Sequence, residues 1–481
     1  MPTVPLPTDA SLVQLRKQAK ELRDTSGSTL AEAQLTLARR HGFASWPRLK
    51  HHLEVVARFS RGPDTVPAFA DRGDEFLRLA CLRYGGDDGA PSWSAARRLL
   101  AEHPEIRGAS IHAAAATAAV DEVRRFVAAS PGAAAAQGGP FAWEPLLYLA
   151  YSRHDPAIDR DAVLATAGLL LDHGADPDAG YLWHGLPTPF TVLTGTFGEG
   201  ELGPEAQPRH PHAPALAELV LAAGADPNDG QSLYNRQFEP DDDHLVVLFA
   251  HGLGTGDGGP WRRRLGDAVD TPAEMVRRQL RWAVVRDMGD RVRLLLAHGV
   301  DPAAPFADGR TPAWLAAVHG HRDVLAQLVA AGAARPEPAP PDAFLGLVLA
   351  GDRPGAEQLL AAHPGLLDRM RAQRPALVAL AAEVRRPEAV RLAVELGFDV
   401  SARGNGNLLD HHPLETALHR AVHRDAPAVV ELLLELGADP TIEDVQFHAT
   451  PLGWARHFDN PTLIRLLEPV TGAGPGAGPD G

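Results

Sequence analysis

The sequence predicts an all-α chain, a solenoid of helix-turn-helix repeats with a small helical N-terminal cap. Three observations carry this. Helix endings recur at a regular interval, since Gly299, Gly332, Gly365 and Gly397 follow one another at 33, 33 and 32 residues, and Gly437 comes 40 later. A glycine there supplies the left-handed residue that stops a helix without a Cβ penalty. Between the glycines, apolar residues fall at helical spacing: Leu294, Leu295 and Leu296 close one helix, 314–318 form a second, and Val324, Leu325, Leu328 and Val329 share one face of a third. Turn chemistry sits where such a repeat needs it. Asp301-Pro302 prevents continuation, Asp308-Gly309 makes a tight turn, and Thr311 caps the next helix. Pro312 takes that helix's first position, where a missing N–H has no intrahelical partner to lose.

This period resembles the ankyrin repeat, as found in bacterial ankyrin repeat domain-containing proteins. Its T-P-L-H-x-A signature is matched by Thr311-Pro312-Ala313-Trp314-Leu315-Ala316, which departs at Ala313 and Trp314. Better copies are Thr416-Ala417-Leu418-His419-Arg420-Ala421 and Thr450-Pro451-Leu452-Gly453-Trp454-Ala455, and the helix-ending Gly-Ala-Asp-Pro stands at 174–177, 224–227 and 437–440. The resemblance implies repeats that cannot bury enough apolar surface singly and are stabilised by stacking. It implies a function too: non-catalytic recognition of a protein partner through a concave face and protruding turns, the chain acting as a scaffold.

Taken in order, the chain divides into a helical cap (1–59), a linker (60–73), ankyrin-like repeats with long insertions (74–335), further repeats (336–470) and a Gly/Pro-rich tail expected to be disordered (471–481). In the cap, Leu12, Leu15 and Ala19 share one helical face, and Ser28 and Thr29 offer caps for a helix through Ala33, Leu35 and Leu37. Gly42-Phe43-Ala44-Ser45-Trp46-Pro47-Arg48-Leu49 resembles a segment found ahead of ankyrin repeats in some bacterial proteins. Ile111-His112-Ala113-Ala114 and Glu144-Pro145-Leu146-Leu147 read as degenerate first helices, with second helices ending near His103-Pro104 and Ser130-Pro131. The Pro-rich 336–341 lies where an inter-repeat turn belongs, which favours one continuous stack.

Insertions are the informative irregularity. Tyr181-Leu182-Trp183-His184-Gly185 follows the first Gly-Ala-Asp-Pro, and Thr188-Pro189-Phe190 is expected to start a helix. Long loops then cover 197–214, 228–243 and 252–264. Long loops in compact architectures tend to be functional, and repeat insertions sit on one face. Their aromatic, Arg and His residues make Trp183, His184, Arg209, His210, Tyr234, Arg236 and Trp261 the candidate partner contacts. Loop packing is the plainer role for Trp183, Phe190 and Trp261. A different class of function is a small-molecule or enzymatic site formed by the inserted loops 181–264.

Composition narrows the remaining classes. Among 481 residues, 45% are apolar, and Cys81 is the one cysteine, so no intramolecular disulfide and no thiolate metal site is expected. The N-terminal segment lacks the basic and apolar regions of a signal peptide, and no apolar run approaches a membrane span. A cytoplasmic monomer is expected. The net charge of −15 disfavours nucleic acid. Arg16, Lys17, Lys20, Arg39 and Arg40 give the cap a basic face, which a solvated surface explains.

No catalytic residue, cofactor or metal is expected. The glycine sets 198–203 and Gly254, Gly256 and Gly259 fit a dinucleotide fingerprint but lack its strand-to-helix setting, and Glu199 and Glu201 would repel phosphate. His419 and His423 are spaced for one helical face, yet no Glu follows His419, and the signature position implies a structural hydrogen bond with Thr416. His210 and His212 read as loop histidines, as do His411 and His412. One carboxylate of Asp241-Asp242-Asp243 is expected to cap the helix that follows, and Cys81 reads as core.

Overall fold

The computed structural model describes residues 4, 6, 7, 10–404 and 414–471, so His411, His412 and residues 472–481 of the tail lie outside the described residues. The described chain is helical apart from one small sheet, and it forms two compact units, 1–279 and 280–481.

In the first unit, Leu12–Ser26, Leu30–Arg40 and Trp46–Phe59 gather around Leu15, Ala19, Leu37, Ala38 and Leu49, with Phe43 and Trp46 packed against them. Their starts follow from capping. The Ser11 side chain accepts from Gln14 N–H, Thr29 and Glu32 form a reciprocal capping box, and Ser45 accepts from Arg48 N–H. A two-layer stack follows. Arg72–Ala80, Ile111–Ala116, Pro145–Tyr151, Val192–Phe197 and Gly230–Asn235 pack one upon the next as inner helices. Val120–Ala129, Arg160–Asp172, Ala213–Ala222 and Asp243–Ala250 stack outside them. Every residue of Ile111–Ala116, Pro145–Tyr151 and Val192–Phe197 is buried. Small side chains make such close stacking possible at Ile111–Ala116, which has four alanines, while Pro145–Tyr151 fills its layer with leucine and tyrosine.

Thr188-Pro189-Phe190 does not begin a helix. Pro189–Thr191 is a strand, antiparallel to Gly180–Trp183, which in turn runs parallel to Ser60–Arg61. The helix starts at Val192, where the Thr191 hydroxyl accepts from Leu193 and Thr194 N–H. Proline is tolerated there because the strand lies at the edge of the sheet.

The second unit repeats the two-layer plan. Pro312–Val318, Pro340–Leu349, Leu377–Glu383, Ala417–His423 and Pro451–His457 form its inner layer. Pro387–Glu395, Pro427–Glu435 and Pro461–Thr471 stack outside. The stack passes through the Pro-rich 336–341, since Pro312–Val318 packs directly on Pro340–Leu349. Glycine enforces that approach: a Cβ on Gly346 would lie 2.0 Å from the Ala317 carbonyl oxygen.

One repeat feature is only partly marked by glycine. In the second unit the second residue after the inner helices is left-handed, with φ 72° at Gly320, 67° at Gly351, 54° at Arg385, 46° at Asp425 and 47° at Asp459, and so is Asp287, at 58°, two places after Pro272–Val285. Asp tolerates this conformation better than most side chains, and Arg385 holds it at a steric cost. His419 has the structural role its position implies. Its Nδ1 accepts the Thr416 N–H at 3.2 Å and meets the Thr416 hydroxyl at 2.8 Å, while its Nε2 reaches Ala449 O in the next repeat at 3.0 Å. Cys81 is buried core, and burial pushes its thiol well above the usual range.

Burial also governs a histidine pair in the second unit. His319 and His321 are 7% and 3% exposed, and desolvation pushes them down to about 3 and about 4. Both rings are neutral in the folded protein at pH 7, while the unfolded chain takes up protons below about pH 6.5. Their contribution to stability is therefore complete above that pH and is lost as pH falls toward the folded values, by roughly 2–3 kcal/mol per histidine at about pH 4.5. Urea unfolding across this window is expected to show the loss, and a His319→Gln, His321→Gln variant is expected to lose that part of the slope.

Candidate binding site

The inserted segments of the first unit come together on its inner helices. Tyr181 and Phe190 are register partners in the sheet, with rings 5.5 Å apart, and Tyr181 stacks on Trp143 at 4.9 Å. Tyr84 meets Phe190 edge to face at 5.1 Å, and Trp183 lies 6.4 Å from Phe190. The Trp183 indole N–H donates to Arg83 O at 3.2 Å. These rings make a continuous aromatic wall.

Opposite it, the chain turns out of Val192–Phe197 through Gly198 and Glu199, both left-handed at 57° and 59°. Only glycine fits at 198, since a Cβ would stand 2.4 Å from Pro208 O. The turn buries the Glu199 carboxylate, leaving 1% of the residue exposed. Arg209 Nε donates to it at 2.6 Å, and Arg236, fully buried, pairs with it as well. The two guanidinium groups then share a pair of aspartates: Arg209 reaches Asp241 at 2.6 Å and Asp243 at 2.7 Å, and Arg236 reaches Asp243 at 2.8 Å. Desolvation alone would raise the Asp241 carboxyl, but the Asp243 N–H and Arg209 outweigh it and hold it at about 2. The acidic run therefore serves both the arginines and the helix start: Asp242 takes the N-cap position without a side-chain cap bond, while Asp241 Oδ1 accepts the Asp243 N–H at 2.9 Å. Arg153 completes the anchoring from below. Its guanidinium donates to Pro208 O at 2.7 Å, to Ala150 O and Ser152 O at 2.9 Å, and to Gly195 O, and burial lowers it to about 10.

A cavity of about 630 Å³ opens between wall and loop. Tyr84, Trp183 and Phe190 line one side, with Leu202, Leu233 and Met275 on others. Gln207, Gln231, Asn235 and Gln279 bring carboxamides to it. Asn235 Nδ2 donates to Tyr84 OH at 2.9 Å, and Gln231 Nε2 donates to Asn235 Oδ1 at 2.8 Å. Leu186, Leu202 and Tyr234 are 49%, 58% and 39% exposed and stand at the rim. The Tyr234 hydroxyl donates to Glu201, and burial together with that carboxylate raises the phenol to about 12.

The seven candidate contact residues thus have different places. Trp183 and Tyr234 meet at the cavity, and Arg209 and Arg236 meet in the ion cluster. His184 lies apart, bonded to Asp64 at 2.6 Å. His210 is 2% exposed, its imidazole pushed well down by burial, and Trp261 is 5% exposed, its N–H on Asp178 O at 2.9 Å and its ring against Phe59. His210, Arg236 and Trp261 hold the loops together and have no surface to offer. Tyr84, Gln231 and Gln279 had no local signal, since each is brought to the cavity by the tertiary fold.

Neither glycine set forms a phosphate cradle. Gly198 follows a helix, and the atoms that crowd Gly198 and Gly200 are acceptors, Pro208 O and Gln207 Oε1, which would repel a phosphate. Gly259 does open a helix, Gly259–Leu265, but a Cβ there would lie 2.0 Å from the Asp226 carboxylate. Among the described residues, no group of three or more His, Cys, Asp or Glu is placed to hold a metal, and no helix is long and apolar enough to cross a membrane.

Stacked pairs of short helices, turned in the second unit by left-handed residues and bonded to the next through positions such as His419, define a helical-repeat protein. The repeat is the ankyrin repeat: residues 414–445 match the family model of that description. A putative ankyrin repeat-containing protein of Treponema pallidum (strain Nichols) is 29% identical over 178 residues, 37% of this chain and 47% of that protein. The chain thus spans about half the length of that curated relative. Residues 414–445 thus carry an ankyrin repeat, and repeats of this family generally mediate protein–protein interaction and are typically non-enzymatic.

The ion cluster makes a specific demand on stability. Glu199→Gln removes one of three carboxylate charges from two guanidinium groups, one of them fully buried, and is expected to cost about 3–5 kcal/mol. Glu201→Gln, at an exposed position, is expected to cost under about 1 kcal/mol. Urea unfolding of both variants against the parent protein checks the contrast.

Proposed function

We propose that the protein is a non-catalytic scaffold that binds a protein partner through the inserted loops of its first unit. The observation that carries this is the rim: Leu186 of the sheet's hairpin, Leu202 of the loop fixed by the buried ion cluster and Tyr234 of Gly230–Asn235 expose large apolar side chains around one opening. A pre-ordered surface limits the entropy lost on association, and aromatic groups beside a depression are frequent anchors. The seven sequence candidates reduce to Trp183 and Tyr234 at the opening, with His184 apart on Asp64 and Arg209 half-buried in the ion cluster. The ankyrin repeats supply the frame.

The test compares the intact protein with a Leu186→Ser, Tyr234→Ser variant in quantitative pull-downs read by mass spectrometry, after circular dichroism shows equal helicity. A partner retained by the intact protein is expected to bind the variant at least about tenfold more weakly, the loss of roughly 1.4 kcal/mol or more that anchor residues carry. Equal capture by both proteins, or capture by neither, contradicts the proposal.

A further inference from the structure

The cavity behind that rim has a chemistry of its own, separate from partner binding. Its volume, about 630 Å³, falls in the range of small-molecule sites. One side is the aromatic face of Tyr84, Phe190 and Trp183, which suits a flat ring. The facing polar groups are carboxamides rather than charges. Gln231 and Asn235 are linked to each other and to Tyr84, which fixes the direction in which each amide points. Gln279 is 2% exposed and half satisfied: its Nε2 donates to Leu233 O at 3.0 Å, and its buried Oε1 has no donor from the protein. An acceptor left without a donor is costly, and a ligand N–H would satisfy it.

Charge decides against anions. The lining has one cation, Arg278, and Asp270 pairs with it at 2.5 Å; Glu201 lies on the same lining. Nothing there would neutralise a phosphate. What remains is a planar, uncharged group carrying both donors and acceptors on its edge. Carboxamides match such an edge, as Asn and Gln do when they pair with adenine, and every base has a face that stacks on an aromatic side chain.

We infer that this cavity binds an uncharged nitrogen heterocycle of the nucleobase class, as the free base or its nucleoside, stacked on the Tyr84–Phe190–Trp183 wall and hydrogen-bonded at its edge by Gln231 and Gln279.

Isothermal calorimetry of the full chain tests this with adenine, guanine, cytosine and uracil, their nucleosides, and adenosine monophosphate, with tryptophan fluorescence as a second readout. Saturable one-to-one binding of at least one base or nucleoside is expected, with Kd below about 1 mM. The binding is expected to weaken at least tenfold in Leu202→Trp, which fills the mouth from an exposed position, and in Gln231→Ala. The corresponding monophosphate is expected to bind at least tenfold more weakly than its nucleoside. No saturable binding by any of the eight uncharged probes overturns the inference, as does binding unchanged in both variants or a monophosphate bound as tightly as its nucleoside. None of these outcomes bears on the rim variant, so failure here is distinguishable from failure of partner binding.

Discussion

The first unit depends on one buried carboxylate. Glu199 leaves the inner helix through a left-handed turn and lies almost wholly out of water, a placement that would be prohibitive without partners. Arg209 and Arg236 supply them, and both guanidinium groups continue to Asp243. Three separate stretches of chain meet there: the loop after Val192–Phe197, the end of Gly230–Asn235 and the start of Asp243–Ala250. Breaking the pair would strand buried charge, so the inserted loop is locked to the repeats on either side. Arg153 closes the same loop from within by binding its carbonyls, a use that guanidinium geometry permits and an ammonium could not match.

That lock is what makes a cavity possible in an architecture built for dense stacking. The opening is lined by the sheet, the 198–209 loop and Gly230–Asn235, where the inserted segments interrupt the stacking. Frame and site have different physical origins. Periodic apolar burial builds the frame, while non-periodic aromatic and ionic contacts build the site.

The same division explains what could be read from the sequence. Glycines at 299, 332, 397 and 437, threonine caps at 311, 416 and 450, and His419 are local signals with local causes, and the helix pairs they mark are present. The left-handed turns at Asp287, Arg385, Asp425 and Asp459 were not legible, because tertiary packing imposes a conformation that composition does not announce. Pro189–Thr191 became a strand because its partner lies across a short hairpin, outweighing a helix-start pattern. The insertions were expected to be the functional region from their length and aromatics. Their residues divided by burial, however, and burial depends on contacts such as Trp261 on Phe59 across roughly 200 positions of sequence. Glu199 and the acidic run were seen as isolated charges, since nothing in the sequence links 199, 209, 236 and 243.

The central claim is that the inserted loop is as firmly fixed as the helices beneath it, and native-state hydrogen exchange measures that directly. Within the loop, Glu199 N–H donates to Gln207 O at 2.6 Å and His210 N–H donates to Thr196 O at 3.0 Å. If the ion cluster locks the loop, these two amides exchange as slowly as those of Val192–Phe197, because all open in one cooperative unit. Exchange at the rate of an unstructured peptide at Glu199 and His210, with the helix still protected, would contradict it.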